Sequence, residues 1–159
     1  DNNVDILDTR KTAPGFRELD KYAVRIGGGK NHRFALYDEI LIKDNHIDGA
    51  GGKVSNAIKL AKDSYNRKYR IIAEVRDLEE LKEAVSMSPD HILLDNMSIN
   101  QLKDCVNFTK ENAPNIYLEA SGGITRDTVK EVAKTGINGI SVGFLTHSVR
   151  ASDLSLVID

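Results

Sequence analysis

Val4-Asp5-Ile6-Leu7 runs into Asp8-Thr9-Arg10-Lys11-Thr12, and Pro14-Gly15 closes the stretch. A short β-branched run, a polar burst and then Pro-Gly reads as a strand ending in a turn. The burst sets two cations, an acid and two hydroxyls at the carboxyl end of that strand. In α/β architectures that is the end where sites are built. Arg10 offers a planar fork for a carboxylate or phosphate, and Lys11 beside it offers a mobile point charge. A lone Arg-Lys pair reads as a solvated turn; this one gains meaning because the arrangement recurs along the chain.

Outward from this stretch, the same grammar repeats. Glu39-Ile40-Leu41-Ile42 is a strand ending in Lys43-Asp44-Asn45-His46, and Arg70-Ile71-Ile72-Ala73 ends in Glu74. His91-Ile92-Leu93-Leu94 ends in Asp95-Asn96, Ile116-Tyr117-Leu118 ends in Glu119-Ala120-Ser121-Gly122-Gly123, and Gly139 to Gly143 forms the last strand. Between them lie helical patterns. Val54, Ala57, Ile58, Ala61 and Tyr65 share a face; Asp77 with Glu80 and Ser98 with Gln101 read as capping boxes. Thr125 is placed to cap a helix through Val129, Val132 and Ala133 that stops at Thr135-Gly136. Tyr22 to Ile26 reads as a further extended stretch, Gly27-Gly28-Gly29 as a turn, and Leu154 to Ile158 as a short strand or a packed tail.

Alternating strands and helices imply βα units and a parallel sheet with right-handed crossovers. The strand ends Glu74, Asp95, Ser121 and Gly143 are spaced by 21, 26 and 22 residues, one βα unit each. Polar groups end nearly every strand, which favours a barrel over a doubly wound sheet with its single switch point. A full eight-unit barrel takes about 250 residues. The 159 residues here hold about six strands, so an incomplete TIM-like α/β barrel, one domain over 1–159, is expected.

The 22 Lys+Arg against 24 Asp+Glu argue against a nucleic-acid-binding face as the main business. No apolar run approaches the roughly 18 residues of a membrane span, and no signal-peptide pattern opens the chain. The one cysteine, Cys105, makes no intrachain disulfide and sits on a helix face as a core residue. These features lead to the expectation of a cytoplasmic protein without nucleic-acid or membrane partners. The first residue is Asp1, which leads to the expectation of a partial translation product.

If the strands are parallel neighbours, Arg10, Lys11, Lys43, Glu74, Asp95, Ser121-Gly122-Gly123 and Gly143 all open into one mouth. With His32-Arg33 nearby, that mouth suits an anionic ligand. The Ser-Gly-Gly backbone N–H groups ahead of a capped helix can hold a phosphate, and barrels commonly bind phosphate after their last two strands. Glu74 and Asp95 can serve as a carboxylate pair for a ribose or Mg²⁺. His32, His46, His91 and His147 lack metal-ligand spacing, so zinc is not expected; His91 reads as structural.

Taken together, these segments resemble quinolinate phosphoribosyltransferase. The resemblance rests on Asp8 to Thr12 with Pro14-Gly15, Gly27-Gly28-Gly29 with Asn31-His32-Arg33, and Lys43 to His46. Leu94-Asp95-Asn96-Met97, Glu119 to Ile124, and Ser141 through Ser148 follow in order, so it spans nearly the whole chain. It implies transfer of a phosphoribosyl group from phosphoribosyl pyrophosphate to quinolinate. Carbon dioxide and pyrophosphate are lost, and nicotinate mononucleotide is made for NAD. It further implies that Arg10, His32 and Arg33, with Lys11, hold the quinolinate carboxylates, and that Lys43 meets the carboxylates or the pyrophosphate. Glu74 and Asp95 would face the ribose and Mg²⁺; Ser121, Gly122, Gly123 and Gly143 would bind the 5′-phosphate, with His147 near it. Lys11, Lys43, Glu74 and Asp95 are the residues expected to act in the chemistry. The family's N-terminal domain, which caps a partner's barrel in a homodimer or higher oligomer, has no counterpart in this sequence. The isolated piece is accordingly expected to be inactive or nearly so. Two other readings stand beside this one: a Schiff-base aldolase-type barrel using Lys11 or Lys43, and a non-catalytic anion-binding homologue of the kind associated with molybdate transport.

Overall fold

The computed structural model describes residues 4–66 and 68–158. Six strands form one sheet: β1 (Asp5–Leu7), β2 (Ile40–Ile42), β3 (Ile71–Val75), β4 (His91–Asp95), β5 (Tyr117–Ser121) and β6 (Gly139–Ser141). All pairings are parallel, in the order β1-β6-β5-β4-β3-β2. From β2 to β6 each new strand joins the same side of its predecessor, and β1 lies beyond β6. A doubly wound sheet would reverse direction at a switch point; this one winds a single way, as a barrel wall does. The wall is not closed among the described residues, since β1 and β2 are its two edges. The β1 edge carries one further bridge, from Leu7 to Lys30.

Period-2 alternation sorts the strand side chains. Ile71, Ala73, Val75, Ile92, Leu94, Leu118, Ala120 and Ile140 face outward into the main apolar core. There they meet α3 (Val54–Tyr65), α4 (Leu78–Ser86) and α5 (Ile99–Asn112) through Ile58, Leu81 and Leu102, which are almost wholly buried. The other phase, including Glu74, Asp95, Glu119, Ser121 and Ser141, is left for the barrel interior. Register sets Asp95 opposite Ser121 and Leu93 opposite Glu119. The helix fold is paid in part by caps: Ser98 and Gln101 form a complete capping box on α5. Asp77 caps α4 through Glu80 N, but the Glu80 carboxylate turns to the Arg76 N–H and guanidinium, so only half of the expected box exists.

Three expectations from the sequence are corrected. Tyr22 to Ile26 is not extended but belongs to α1 (Arg17–Ile26). Its alternating apolar residues mimic a strand. What decides for helix is that Lys21 and Val24, three apart, are buried on one face, with Glu18 and Asp20 in the first turn and Arg25 in the last. Second, α6 is only Val129–Ala133; Thr125 and Thr128 exchange hydrogen bonds in a turn before it, so the helix starts later than Thr125. Third, Leu154 to Ile158 is neither strand nor packed tail, with Leu154, Leu156 and Ile158 all close to 90% exposed (87%, 91% and 89%). Two short helices complete the chain: α2 (Asp44–Gly49) directly after β2, and α7 (Phe144–His147) directly after β6. No helix among the described residues is long and apolar enough to cross a membrane.

Candidate active site

The residues at the strand ends converge on the carboxyl end of the wall. Arg10, Lys11, His32, Arg33, Lys43, Glu74, Asp95 and Ser121 line one cavity of about 200 Å³. It adjoins a larger one of about 940 Å³ that shares Lys11, Lys43, Asp95 and Ser121 and adds Gly122, Gly123, Gly143 and His147. Each of the twelve residues expected to bind or act therefore lines one or both of these adjoining cavities.

Asp8, the acid of the opening burst, is not in the mouth but wholly buried behind it. Its carboxylate accepts from Lys21 Nζ (2.5 Å), Asn31 Nδ2 (2.5 Å) and the His32 N–H (2.9 Å). Lys21 Nζ also donates to His32 O at 2.9 Å. One buried carboxylate thus ties β1, α1 and the segment bearing His32 and Arg33 together. Arg17 does the same for the neighbouring turn, donating to Thr12 Oγ1 and the carbonyls of Arg10 and Phe34. The turn after Gly27 is needed here: Gly28 has φ +88°, and Gly29 packs so closely on Val24 that a methyl group would lie 2.8 Å from Val24 Cγ1.

At the narrow end two guanidiniums stand together. Burial, and next the charge of Arg10, push the Arg33 guanidinium below its ordinary pKa, with Glu39 and Asp38 opposing. Arg33 Nη1 donates to the Glu39 carbonyl at 2.9 Å. Arg10 Nε is buried and has no hydrogen-bond partner among the described residues. A buried, unused donor on a permanent cation beside a second cation is an arrangement that an anion completes.

Lys43, the residue after β2, and Glu74 on the neighbouring strand β3 bring Nζ and Oε2 within 2.5 Å. Asp95 Oδ2 accepts from Asn96 Nδ2 at 2.8 Å. Both carboxylates face the same cavity. No group of three or more His, Cys, Asp or Glu residues that could hold a metal by itself occurs among the described residues. Two hard oxygen donors at one cavity do suit a Mg²⁺ that brings phosphate ligands with it.

The wide end is a backbone cradle. Gly122 (φ +92°) and Gly123 (φ +59°) lie in the left-handed region, and a side chain on Gly122 would collide with Asn96. Asn96 itself adopts φ +53°, and its N–H donates to the Ser121 carbonyl at 2.9 Å. These turns leave the loop's remaining N–H groups for a ligand. The cradle is loop backbone and not a helix N-terminus, because the Thr125–Thr128 turn separates it from α6. Opposite, a methyl group on Gly143 would sit 2.9 Å from His147 Nε2, so this glycine lets the imidazole close over the strand end. Thr146 Oγ1 donates to the Lys11 carbonyl at 2.6 Å, which links α7 to the Arg10-Lys11 turn.

The residue that the sequence reading missed is Glu119. The apolar run stops at Leu118, yet β5 continues through Ser121 and turns Glu119 inward, fully buried. His91 Nε2 lies 2.9 Å and His32 Nε2 3.4 Å from Glu119 Oε2, and Ser141 Oγ donates to Oε1. Burial pushes the Glu119 carboxyl up, but the two imidazoles together outweigh it and hold it below its ordinary value. The signal available was alternation: Tyr117, Glu119 and Ser121 on one face, Leu118 and Ala120 on the other.

Residues 1–157 match the family described as quinolinate phosphoribosyl transferase, C-terminal domain. Among known proteins, the chain is 47% identical to the probable nicotinate-nucleotide pyrophosphorylase [carboxylating] of Bacillus subtilis, covering 98% of this chain and 53% of that one. It is 46% identical to the chloroplastic nicotinate-nucleotide pyrophosphorylase [carboxylating] of rice, covering 97% of this chain and 45% of that one. In structure it resembles the nicotinate-nucleotide pyrophosphorylase of Francisella tularensis with a TM-score of 0.90 at 43% identity, over 97% of this chain and 53% of that one. The chain spans about half the length of the relatives it matches. It belongs to the quinolinate phosphoribosyltransferase family and corresponds to its C-terminal domain.

Proposed function

We propose that this domain carries the active site of a decarboxylating quinolinate phosphoribosyltransferase. The observation that carries the reading is the Arg10–Arg33 pair, with its unused buried donor, at one end of a cavity whose other end is a glycine cradle. That is a place for a small aromatic diacid directly beside a place for a sugar phosphate. Arg10, His32 and Arg33, with Lys11, hold the carboxylates. Ser121, Gly122, Gly123 and Gly143 hold the 5′-phosphate, with His147 beside them. The ribose then lies between, against Glu74 and Asp95.

In this arrangement the ring nitrogen of the acceptor displaces pyrophosphate from the anomeric carbon. Glu74 and Asp95 stabilise the positive charge that develops on the ribose ring, and Lys11 and Lys43 meet the departing pyrophosphate. Mg²⁺, held by Glu74 and Asp95 together with the donor's phosphates, would neutralise the leaving group. Alkylation makes the ring nitrogen cationic, so the adjacent C–CO₂⁻ bond breaks with its electron pair left on the ring carbon, which then takes up a proton. Lys43 Nζ is paired with the Glu74 carboxylate, which disfavours a Schiff-base role for it.

Arg10 and Arg33 also border a cleft of about 600 Å³ along the open edge of β2. A domain from a neighbouring subunit, in a homodimer or higher homo-oligomer, closes the site from that side in this proposal. The test is a turnover assay on the full-length protein with quinolinate, phosphoribosyl pyrophosphate and Mg²⁺. Nicotinate mononucleotide should form, and Arg10→Ala should abolish it while the protein stays folded. Quinolinate binding without product would favour the anion-binding homologue instead.

A further inference from the structure

We propose that Glu119 is a positioning residue for the carboxylate-binding end of the site: it fixes the ring of His32 and, through that ring, the backbone of Arg33. This rests on the function proposed above. Arg33 N–H donates to His32 Nδ1 at 2.8 Å, so Nδ1 carries no proton and the ring proton belongs on Nε2. Nε2 faces the Glu119 carboxylate. One edge of the imidazole is therefore hydrogen-bonded by the segment it shapes, and the other lies 3.4 Å from the buried acid, whose Oε2 has no hydrogen-bond partner among the described residues and meets the two imidazoles at contact distance.

The surroundings of the acid support the assignment. A carboxylate with no exposed surface is strongly disfavoured unless polar groups meet it. Two imidazoles stand against Glu119 Oε2: His91 Nε2 at 2.9 Å, its ring packed edge-on against Tyr117, and His32 Nε2 at 3.4 Å. The cations that face a diacid are Arg10, Lys11, Arg33 and Lys43. Ser141 Oγ on the other carboxylate oxygen ties the floor of the cavity to β6. Glu119 and His32 line both the mouth cavity and a second one of about 200 Å³ at the amino end of the strands, with Asp5, Arg70 and Tyr117. The floor is thus one layer of residues, and Glu119 is its acid beneath the His32 ring.

Two measurements on the full-length protein test this. The first is the histidine ¹⁵N–¹H correlation spectrum. His32 should show an unprotonated Nδ1 and a protonated Nε2 at neutral pH, and Glu119→Gln should shift it to mixed tautomers. The second is steady-state kinetics. As for other carboxylates that orient a binding histidine, Glu119→Gln should weaken quinolinate, read as KM, by about 10- to 100-fold, with a much smaller change for phosphoribosyl pyrophosphate. Glu119→Asp should recover part of the loss. Equal losses for both substrates, or a wild-type His32 with its proton on Nδ1, would overturn the proposal. If Glu119→Gln does not fold, the aspartate variant, whose shorter side chain reaches less far toward His32, decides by the same split between the two KM values. If the wild-type protein proves not to turn over quinolinate, the functional reading fails by itself, and the tautomer measurement stands apart from it.

Discussion

Replacing Asp8 by Asn removes one negative charge from a site with no solvent and leaves the rest in place. Lys21, only 3% exposed, then keeps a buried ammonium with no carboxylate opposite. The new side chain also brings an NH₂ group to a point where Lys21, Asn31 and the His32 N–H all donate. Breaking a buried pair from one side is worth about 3–5 kcal/mol, a large fraction of the roughly 5–15 kcal/mol that holds a domain folded. Replacing both partners by apolar residues, Asp8→Leu with Lys21→Met, removes the stranded charge and should recover most of that loss, though the two donors from Asn31 and His32 stay unanswered. Urea denaturation of the full-length protein measures all of this by the midpoint at constant slope. A single-variant loss under about 1 kcal/mol would mean that the pair behaves as a solvated one, and the reasoning would be refuted.

Gly122→Ala forces a side chain to φ +92° against Asn96. The left-handed backbone alone costs about 1–2 kcal/mol, so the loop should move and KM for phosphoribosyl pyrophosphate should rise well before that for quinolinate. A parallel rise in both would remove the cradle from the phosphate role. Cys105 has its thiol pushed up from 9.0 to about 11 by burial and, less, by the charges of Asp104 and Asp77. A folded pKa above the unfolded one means stability present below pH 9 and lost as pH rises toward 11. Urea midpoints should therefore fall over that window and fall less in Cys105→Ala; equal slopes for the two proteins would contradict it.

The sequence was legible where one residue carried one signal. Lys43, Glu74, Asp95 and Ser121 each follow or end an apolar strand, and parallel pairing was enough to bring them together. The barrel could be inferred because those ends were many, not one. What stayed hidden depends on partners far along the chain. Tyr22, Val24 and Ile26 alternate like a strand, and the burial of Lys21 and Val24 on one face, with Lys21 against Asp8, settles α1. Asp8 reads as a site acid by position, yet it serves Lys21, Asn31 and His32, 13 to 24 residues away. His91 and Glu119 look like unrelated strand residues until β4 and β5 pair. Leu154 to Ile158 shows the reverse failure: an apolar pattern need not find a surface within the same chain.

The most direct test of the account is a carbon balance. Quinolinate labelled at the 2-carboxyl is incubated with phosphoribosyl pyrophosphate, Mg²⁺ and the full-length protein, and labelled CO₂ is counted against nicotinate mononucleotide. The account predicts one CO₂ for each nucleotide, with both lost together in Arg10→Ala. Quinolinate that binds but releases neither product would contradict it.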